Sequence, residues 1–389
     1  MEKIMNQTLM SAYKESAQAS LEQANGLPLA VYHDPSVFDA EIKEVFLNDW
    51  VFACAEAQLS QSGDYYAFEI AREPLVIIRG KDGALRALSN ICRHRGTPLL
   101  DPGFGQIGKN IVCPYHAWTF DDTGAFKGAP LTGEIKVDKE KHCLPEFAIA
   151  SWNGLIFVNL SDAPRPFSEK VEGLDSYLSL FDLQRFKQPY QMPTEHWDSN
   201  WKLAVENGIE SYHLFKVHKE TLETTTPSKQ AYYVAGSSEW TLTGGKMKDD
   251  RGTLSKWLSG NYPEAYDHYL LLFLPPSLVA VITYDGLNWI QIMPRGPEQC
   301  AVIPGGLLEH KTTNFNSPEF QFTQAFLNED KQICERVQQG MHARKGKGGK
   351  LVSMEKILVD FRQYLANRLF QTEPDPFIET EQAQRFYAE

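Results

Sequence analysis

Two short segments of this chain each offer one cysteine and one histidine at a spacing that suits metal binding. Cys92 and His94 form the first pair; Cys113 and His116 form the second, after 18 intervening residues. Thiolate and imidazole ligands favour zinc or an iron–sulfur cluster over a hard cation. Zinc fingers usually pair cysteine with cysteine and histidine with histidine, whereas here each segment carries one of each. The pattern therefore indicates a two-iron cluster in which one iron takes both thiolates and the other both imidazoles, with a structural zinc site as the alternative.

A second set of candidate ligands lies farther along the chain. Glu210, His213 and His218 combine a carboxylate with imidazoles, which are the ligand types of a non-haem iron(II) site with open positions for dioxygen. Asn207 lies three residues before Glu210, so on a helix it shares a face with Glu210 and His213. Taken alone, the two histidines are also compatible with ordinary core or surface positions, because histidine is more often a bystander than a ligand.

The segment that carries these residues is expected to be helical as far as His213. Trp201, Val205, Ile209 and Tyr212 recur every three to four residues and predict a core-facing stripe. The two histidines are five residues apart, which places them about 140° apart around a straight helix. If both bind one metal ion, the helix must loosen or end between them.

The composition limits the function classes. A chain of 389 residues is long enough for two domains with ample cores. Its net charge of −12 argues against binding to nucleic acid or anionic membranes, since both require a basic surface. No apolar run is long enough to span a membrane, and the first residues do not resemble a signal peptide. The cysteines show no disulfide framework, so we expect a cytoplasmic protein with four small core residues, Cys54, Cys143, Cys300 and Cys334.

Strand and helix patterns predict a β-rich part followed by a mixed part. Amphipathic helices are predicted over 8–25 and 37–48. A small antiparallel β-domain is expected over about 45–165, with turns at 80–83 and 121–124 and the two metal-binding segments at hairpin tips. The later part is predicted to contain an antiparallel sheet that wraps a pocket, with strands at 269–274, 278–283 and 288–293, and helices at 317–340 and 353–371.

The order of these motifs resembles the oxygenase (alpha) component of the Rieske non-haem iron oxygenases. The two Cys-His pairs come first, followed by the triplet Asn200-Trp201-Lys202, then the run Glu-x-x-His-x4-His and a late acidic residue. The resemblance covers nearly the whole chain and implies an α+β fold, with an antiparallel β Rieske 2Fe-2S domain and a helix-grip catalytic domain of antiparallel sheet and long helices. The implied ranges are 1–44 for N-terminal helices packing on the catalytic domain, 45–165 for the Rieske domain and 166–389 for the catalytic mononuclear iron domain.

The resemblance also assigns the ligands of both metal centres. The cluster ligands correspond to Cys92, His94, Cys113 and His116. The ligands of the mononuclear iron(II) correspond to His213, His218 and a late aspartate of the family, which we place at Asp330 with its neighbour Glu329 as the alternative.

Glu210 matches the acidic residue that, in this family, links the two metal centres across a subunit boundary. By resemblance it joins His116 of one subunit to His213 of the next, with Asn207 nearby. A carboxylate that accepts from both ring N–H groups fixes their tautomers and offers a path for an electron and a proton. Such a path between subunits implies a homotrimer.

The chain lacks a nucleotide-binding fingerprint, so the electrons must come from another protein. The resemblance implies a separate reductase, carrying flavin and/or an iron–sulfur cluster, that passes electrons from NAD(P)H to the Rieske cluster. The remaining reactants are dioxygen and a small organic molecule. The expected reaction is hydroxylation or oxidative N-demethylation.

The substrate is predicted to be a quaternary ammonium compound. A glutamate at position 210 and the run 329–340 look like those of relatives acting on choline, carnitine or betaines. Aromatic residues could enclose the cation, or could simply be core; the candidates are Phe215, Tyr233, Trp240, Tyr284 and Trp289. A ring-hydroxylating oxygenase acting on an aromatic compound is the alternative. Readings from other classes are a pure electron carrier and a zinc-stabilised helix-grip ligand-binding protein.

One basic run, residues 344–350, stands out in this acidic chain. It lacks the pattern of a phosphate-binding loop and is expected to be a solvated, flexible segment. A second hypothesis is that it docks an acidic reductase by charge complementarity.

Overall fold

The computed structural model describes residues 2–248, 264–310, 317–373 and 378–379. Internal contacts divide the chain into two compact units. The smaller unit is Phe46–Arg165, and the larger unit joins Met1–Val45 to Pro166–Glu389. Among the described helices, none combines the length and the apolar character needed to cross a membrane.

The smaller unit is built from antiparallel strands, as its alternating sequence predicts. A seven-stranded sheet has the order β1-β10-β9-β4-β3-β2-β5, and β6, β7 and β8 form a separate three-stranded sheet. The strands are β1 Val51–Ala55, β2 Asp64–Ile70, β3 Glu73–Arg79, β4 Leu85–Ser89, β5 Gly103–Gln106, β6 Ile111–Val112, β7 Thr119–Phe120, β8 Phe126–Gly128, β9 Glu146–Trp152 and β10 Leu155–Asn159. Helical turns of this unit are Glu56–Leu59 and Glu140–His142.

The two segments that carry the Cys-His pairs lie against one apolar cluster. The first follows β4, and the second connects β6 to β7. Cys92 and Cys113 belong to a buried cluster that also contains Trp118, Phe120 and Phe126. These buried rings form the apolar surface against which both Cys-His segments pack.

The larger unit contains one antiparallel sheet that includes nine strands of the described residues. Its order is β11-β18-β17-β16-β15-β14-β13-β19, and β12 also pairs with β18. The strands are β11 Gln188–Gln191, β12 Glu195–Trp197, β13 Ala231–Gly236, β14 Thr241–Lys246, β15 His268–Leu274, β16 Leu278–Thr283, β17 Gly286–Gly296, β18 Gln299–Leu308 and β19 Ile378–Glu379. Every residue of β15 is buried, so both faces of the sheet are covered at this strand.

Helices of the larger unit pack on this sheet. The α-helices are α1 Glu2–Ala17, α2 Pro35–Glu41, α3 Phe167–Lys170, α4 Leu174–Leu178, α5 Trp201–Gly208, α6 Leu214–Val217, α7 Leu222–Thr225, α8 Pro318–Gly340 and α9 Lys356–Phe370. Shorter 3-10 turns are Leu29–Tyr32, Leu183–Arg185, Ser228–Gln230, Glu264–Asp267 and Ser353–Glu355, and a π-helical turn covers Ile42–Phe46. Helix α5 packs against α8 and against β17 and β18, and α9 packs on β13 and β14.

Two predicted N-terminal helices have different bounds in the structure. The helix predicted over 8–25 ends at Ala17, and an irregular segment then brings Ala24 and Leu27 into the core. The helix predicted over 37–48 begins at Pro35, where Asp34 caps it, and widens into the π turn after Glu41. The sequence predicts that both helices exist, but local caps and turns set where each helix ends.

The prediction that the third helix continues to His213 is wrong. Helix α5 begins after Asn200, whose side chain accepts a hydrogen bond from the Lys202 N–H at 2.9 Å, and it ends at Gly208. A Cβ at Gly208 would lie 3.2 Å from Ile290 Cδ1, so the glycine permits close approach to the sheet. The Glu210 carboxylate then accepts from the backbone N–H groups of Tyr212 and His213, which closes a turn instead of a helix.

A buried carboxylate holds α5 against the N-terminal segment. Glu41 is fully buried and accepts from Lys202 Nζ at 2.8 Å, Trp201 Nε1 at 2.9 Å and Tyr13 Oη at 3.0 Å. Burial lowers the pKa of Lys202, and the ion pair with Glu41 opposes that shift. A second hydrogen-bonded carboxylate lies about one turn farther along α5, where Glu206 accepts from Tyr32 Oη at 2.8 Å.

The basic run 344–350 is tied down, contrary to the expectation of a flexible loop. The Gly26 N–H donates to Gly349 O at 2.7 Å, and the Leu351 N–H donates to Ala24 O at 3.1 Å. A Cβ at Gly348 would lie 2.3 Å from Gly26 Cα, so only glycine permits this contact. Its role in docking a reductase stays a hypothesis.

Replacement of Glu41 by alanine should strongly destabilise the larger unit. The change leaves the Lys202 ammonium buried without its partner, which typically costs about 3–5 kcal/mol. We expect the thermal unfolding midpoint to fall by the order of 10 °C, measured by calorimetry. The control is Glu44→Ala, which removes a carboxylate paired only with the exposed Lys43. Equal midpoints for both variants would contradict the structural role of Glu41.

Candidate metal centres and substrate cavity

The two loops of the smaller unit share one backbone design. In each, the cysteine N–H donates to the carbonyl five residues later: Cys92 to Thr97 at 2.9 Å, and Cys113 to Trp118 at 2.8 Å. In each, the residue four after the cysteine donates back to the cysteine carbonyl and has a positive φ. Those residues are Gly96, with φ 75°, and Ala117, with φ 56°. The sequence did not reveal this repeat because the histidines fall at different offsets.

The donor groups of these loops fit a 2Fe-2S cluster. Both cysteines are buried and interact through their side chains, and burial raises the pKa of Cys92. The rings of His94 and His116 lie 4.7 Å apart between centroids, on the solvent side of the thiols. His116 Nδ1 is buried without a hydrogen-bond partner, an atom that a metal ion would satisfy. Trp118 stacks on the His94 ring at 4.8 Å, which orients that imidazole.

A second group of ligand atoms lies in the larger unit. One ligand atom from each of His213, His218 and Asp330 lies within 4.8 Å of the others. His213 precedes α6, His218 follows it, and Asp330 lies in the middle of α8. The short helix between the histidines brings both onto one side. Two imidazoles and one carboxylate are the donor set of a non-haem iron(II) centre.

Both histidines turn the same nitrogen, Nε2, towards Asp330. His218 Nε2 lies 2.8 Å and His213 Nε2 lies 3.5 Å from Asp330 Oδ1. On the opposite side of each ring, Nδ1 faces another carboxylate: Glu210 Oε1 at 2.5 Å for His213, and Glu329 Oε2 at 2.7 Å for His218. Burial lowers the pKa of His213, but Asp330 and Glu210 outweigh this and raise it to about 9 in the metal-free chain.

The geometry distinguishes the two candidates for the carboxylate ligand, Asp330 and Glu329. Asp330 contacts both histidines at Nε2, whereas Glu329 contacts only His218, and at Nδ1. The sequence left the choice between them open. The contacts favour Asp330 as the residue that faces the metal position, while Glu329 lies behind the His218 ring.

Asn207 and Glu210 lie beside His213. Asn207 Nδ2 is 3.4 Å from His213 Nε2, so it borders the metal position. Glu210 is mostly buried and contacts the His213 ring and its backbone N–H. Its neighbours Tyr212 and Phe215 are large and exposed.

A cavity of about 750 Å³ opens onto this group. Its lining includes His213, His218 and Asp330 together with apolar residues from the sheet and α8. Six aromatic side chains contribute to it: Tyr190, Tyr269, Trp289, Phe320, Phe322 and Phe326. The volume is in the range of small-molecule sites.

The predicted aromatic cage is largely wrong. Of its candidates, only Trp289 lines the cavity. Tyr233 donates to Asp360 at 2.7 Å, and Trp240 donates to Glu172 O at 2.9 Å, both away from the lining. Phe215 is 52% exposed. Tyr284 packs on Tyr266 and under Arg185. Aromatic content alone could not separate core from cavity.

Among the remaining cysteines, three match the expectation and one does not. Cys54, Cys300 and Cys334 are buried, as predicted. Cys143 is only partly buried, and its thiol donates to Lys139 O at 3.4 Å.

Each of the two units matches a known protein family. Residues 49–147 match the model of the Rieske 2Fe-2S domain, and residues 183–371 match that of the ring hydroxylating alpha subunit (catalytic domain). The chain belongs to the Rieske non-haem iron oxygenases. It is an oxygenase component of that family, as the motif order predicted, which sets aside a lone electron carrier and a zinc-stabilised binding protein.

Two of the curated relatives of this Rieske oxygenase are oxygenase subunits named for glycine betaine and for carnitine. The glycine betaine monooxygenase oxygenase subunit of Chromohalobacter salexigens is 27% identical over 376 residues, covering 86% of this chain and 84% of that protein. The carnitine monooxygenase oxygenase subunit of Acinetobacter baumannii is 26% identical over 345 residues, covering 85% and 88%.

Solved structures agree with the fold of this Rieske oxygenase. The quaternary ammonium Rieske monooxygenase CntA in complex with L-carnitine has a TM-score of 0.75 at 22% identity, covering 92% of this chain and 97% of that chain. Naphthalene 1,2-dioxygenase from Rhodococcus sp. has a TM-score of 0.72 at 19% identity, covering 92% and 97%. These likenesses establish the α+β architecture.

Removal of the Asp330 carboxylate should empty the mononuclear site alone. We expect Asp330→Ala to lower the iron content by about one atom per chain, since two imidazoles bind iron(II) weakly without the carboxylate. Acid-labile sulfide should not change, because the two Cys-His pairs lie in the smaller unit. The control is Asp285→Asn, another carboxylate of the cavity lining. Full iron content in Asp330→Ala would exclude Asp330 as a ligand.

Proposed function

We propose that this Rieske oxygenase hydroxylates an N-methyl group of a quaternary ammonium compound. The observation that carries the proposal is the placement of His213, His218 and Asp330 at one wall of an aromatic-lined cavity. The names of the relatives from Chromohalobacter salexigens and Acinetobacter baumannii support the substrate class. The resemblance of Glu210 and of the run 329–340 to relatives that act on quaternary amines also supports it.

The ligand assignment forms part of the proposal. Cys92, His94, Cys113 and His116 hold the Rieske cluster, and His213, His218 and Asp330 hold iron(II). When bound, the cluster supplies electrons and the ferrous ion supplies dioxygen activation. The chain contributes the orientation of the ligands, and an apolar wall that limits the access of water to the reacting carbon.

The cavity wall offers attraction to a cation. Aromatic faces carry negative charge density and attract quaternary ammonium groups, which have no N–H to donate. Trp289 and Tyr269 on the sheet and Phe326 on α8 are among the lining rings. Asp285 adds a carboxylate to the lining, and the Thr283 hydroxyl donates to it at 2.7 Å. These groups favour a cation over an anionic aromatic acid.

The proposed reaction consumes dioxygen, two electrons and two protons. One oxygen atom enters a methyl C–H bond as a hydroxyl group, and the other leaves as water. The N-hydroxymethyl product then releases formaldehyde and a proton, leaving the demethylated amine. The electrons come from NAD(P)H through a separate reductase that contains flavin and/or an iron–sulfur cluster.

Glu210 is proposed to link the centres of neighbouring subunits in a homotrimer. Its carboxylate contacts His213 Nδ1 at 2.5 Å, so it already holds one end of such a link. The exposed rings of Tyr212 and Phe215 beside it would suit burial against a neighbouring subunit. Asn207 is proposed only to lie beside His213, the iron ligand that Glu210 contacts.

A substrate panel tests the class directly. With a compatible reductase and NADH, we expect glycine betaine, carnitine or choline analogues to stimulate NADH oxidation with formation of an equal amount of formaldehyde. Benzoate, toluate and anthranilate should give neither. Oxidation of the aromatic panel to ring-hydroxylated products, without formaldehyde from the amines, would instead support a ring-hydroxylating oxygenase.

The Glu210→Gln variant tests the link between the centres. An amide replaces one accepting oxygen with a donating NH2 group, so it cannot accept a ring N–H at each of its two ends as a carboxylate does. We expect coupled turnover, assayed with iron(II) in excess so that the mononuclear site is filled, to fall by about 10–100-fold, with the sulfide content unchanged. Glu220→Gln, at a glutamate whose side chain is 84% exposed, is the control. Normal coupled turnover in Glu210→Gln would refute the role of Glu210.

A further inference from the structure

The His218 ring is held at both nitrogens by consecutive residues of one helix. Glu329 Oε2 lies 2.7 Å from Nδ1, and Asp330 Oδ1 lies 2.8 Å from Nε2. The ring itself is fully buried. Successive residues of a helix point about 100° apart, so α8 can present one carboxylate to each edge of the ring. His218 therefore has little freedom to rotate or flip.

Glu329 is in turn fixed by Thr221. The Thr221 hydroxyl donates to the same Oε2 atom at 2.6 Å, and Thr221 is 7% exposed. The Thr221 backbone N–H donates to His218 O at 3.0 Å. The same short segment therefore supplies both the His218 ring and the Thr221 hydroxyl that fixes Glu329 beside that ring. The three residues form a closed set of contacts.

We propose that Glu329, held by Thr221, is a positioning residue for the mononuclear iron site. An ionised carboxylate only accepts hydrogen bonds, so its contact keeps the proton of His218 on Nδ1. With a metal ion bound, Nε2 would carry no proton and would share the ion with Asp330. The inference rests on the proposed iron site, and it assigns to Glu329 a task distinct from metal ligation.

The arrangement parallels that of the other histidine but differs in purpose. Glu210 holds Nδ1 of His213, and Glu329 holds Nδ1 of His218. Glu210 is proposed to reach a neighbouring subunit, whereas the carboxylate of Glu329 is occupied within its own chain by Thr221. Loss of Glu329 should therefore weaken metal binding without first interrupting electron transfer between subunits.

Metal affinity, rather than turnover, is the test. The purified full-length protein, stripped of its mononuclear metal, is titrated anaerobically with Co²⁺ against a chelator, and the visible bands of bound Co²⁺ are recorded. Partners of this kind typically contribute 10–100-fold to affinity. We expect Glu329→Ala to weaken Co²⁺ binding by about 10–100-fold and to shift the bands. Thr221→Val should shift affinity in the same direction by a smaller factor.

Two further variants separate positioning from general damage. Glu329→Gln keeps the shape of the side chain, so it serves if the alanine variant fails to fold, and it should also weaken binding. Glu335→Gln is the matched control on the same helix, where the carboxylate accepts from the Asp198 N–H at 3.1 Å and lies away from the metal position. Its affinity should equal that of the unmodified protein.

The outcomes are distinct. Unchanged Co²⁺ affinity and bands in Glu329→Ala or Glu329→Gln would overturn the positioning role and leave the iron site standing. An equal loss in Glu335→Gln would also overturn it, because the effect would then be general to the helix. Failure of the unmodified protein to bind Co²⁺ at all would refute the proposed iron site itself.

Discussion

The catalytic half of the molecule depends on one buried carboxylate. Glu41 satisfies three donors that have no access to water, the Lys202 ammonium, the Trp201 indole and the Tyr13 hydroxyl. It thereby fixes the start of α5 against the N-terminal segment. Because α5 is short and ends at Gly208, any shift at its beginning reaches Asn207 and the turn that carries Glu210. A stable charge pair far from the chemistry therefore sets the position of the site.

Orientation of imidazole rings is the second constraint on the site. A histidine binds a metal through one nitrogen, so the other must be occupied for the first to be directed correctly. The larger unit does this with carboxylates behind His213 and His218. The smaller unit uses an aromatic face instead, with Trp118 stacked on His94. The mononuclear site thereby gains negative charge, while the surroundings of His94 at the cluster remain aromatic.

The sequence predicted the fold class, the strands and the residues that gather at the metal position, because ligand types and period-two patterns are local signals. It could not place the end of α5, since the bonds from Glu210 to the backbone compete with the helix and leave no periodic trace. It also could not select Trp289 from the other aromatic candidates, because strand register decides which rings face the cavity. The consecutive acidic pair at 329 and 330 was visible, but only the geometry separates their tasks.

The twin backbone clamps of the cluster loops have a consequence for assembly. Each loop is closed by its own two main-chain hydrogen bonds, around Cys92 and around Cys113. Neither closure uses a metal ligand atom, so both loops can take shape as the strands pair, before any cluster is delivered. The thiols lie inward and the imidazoles outward. The preformed pocket is therefore open to solvent on its histidine side and closed on its cysteine side.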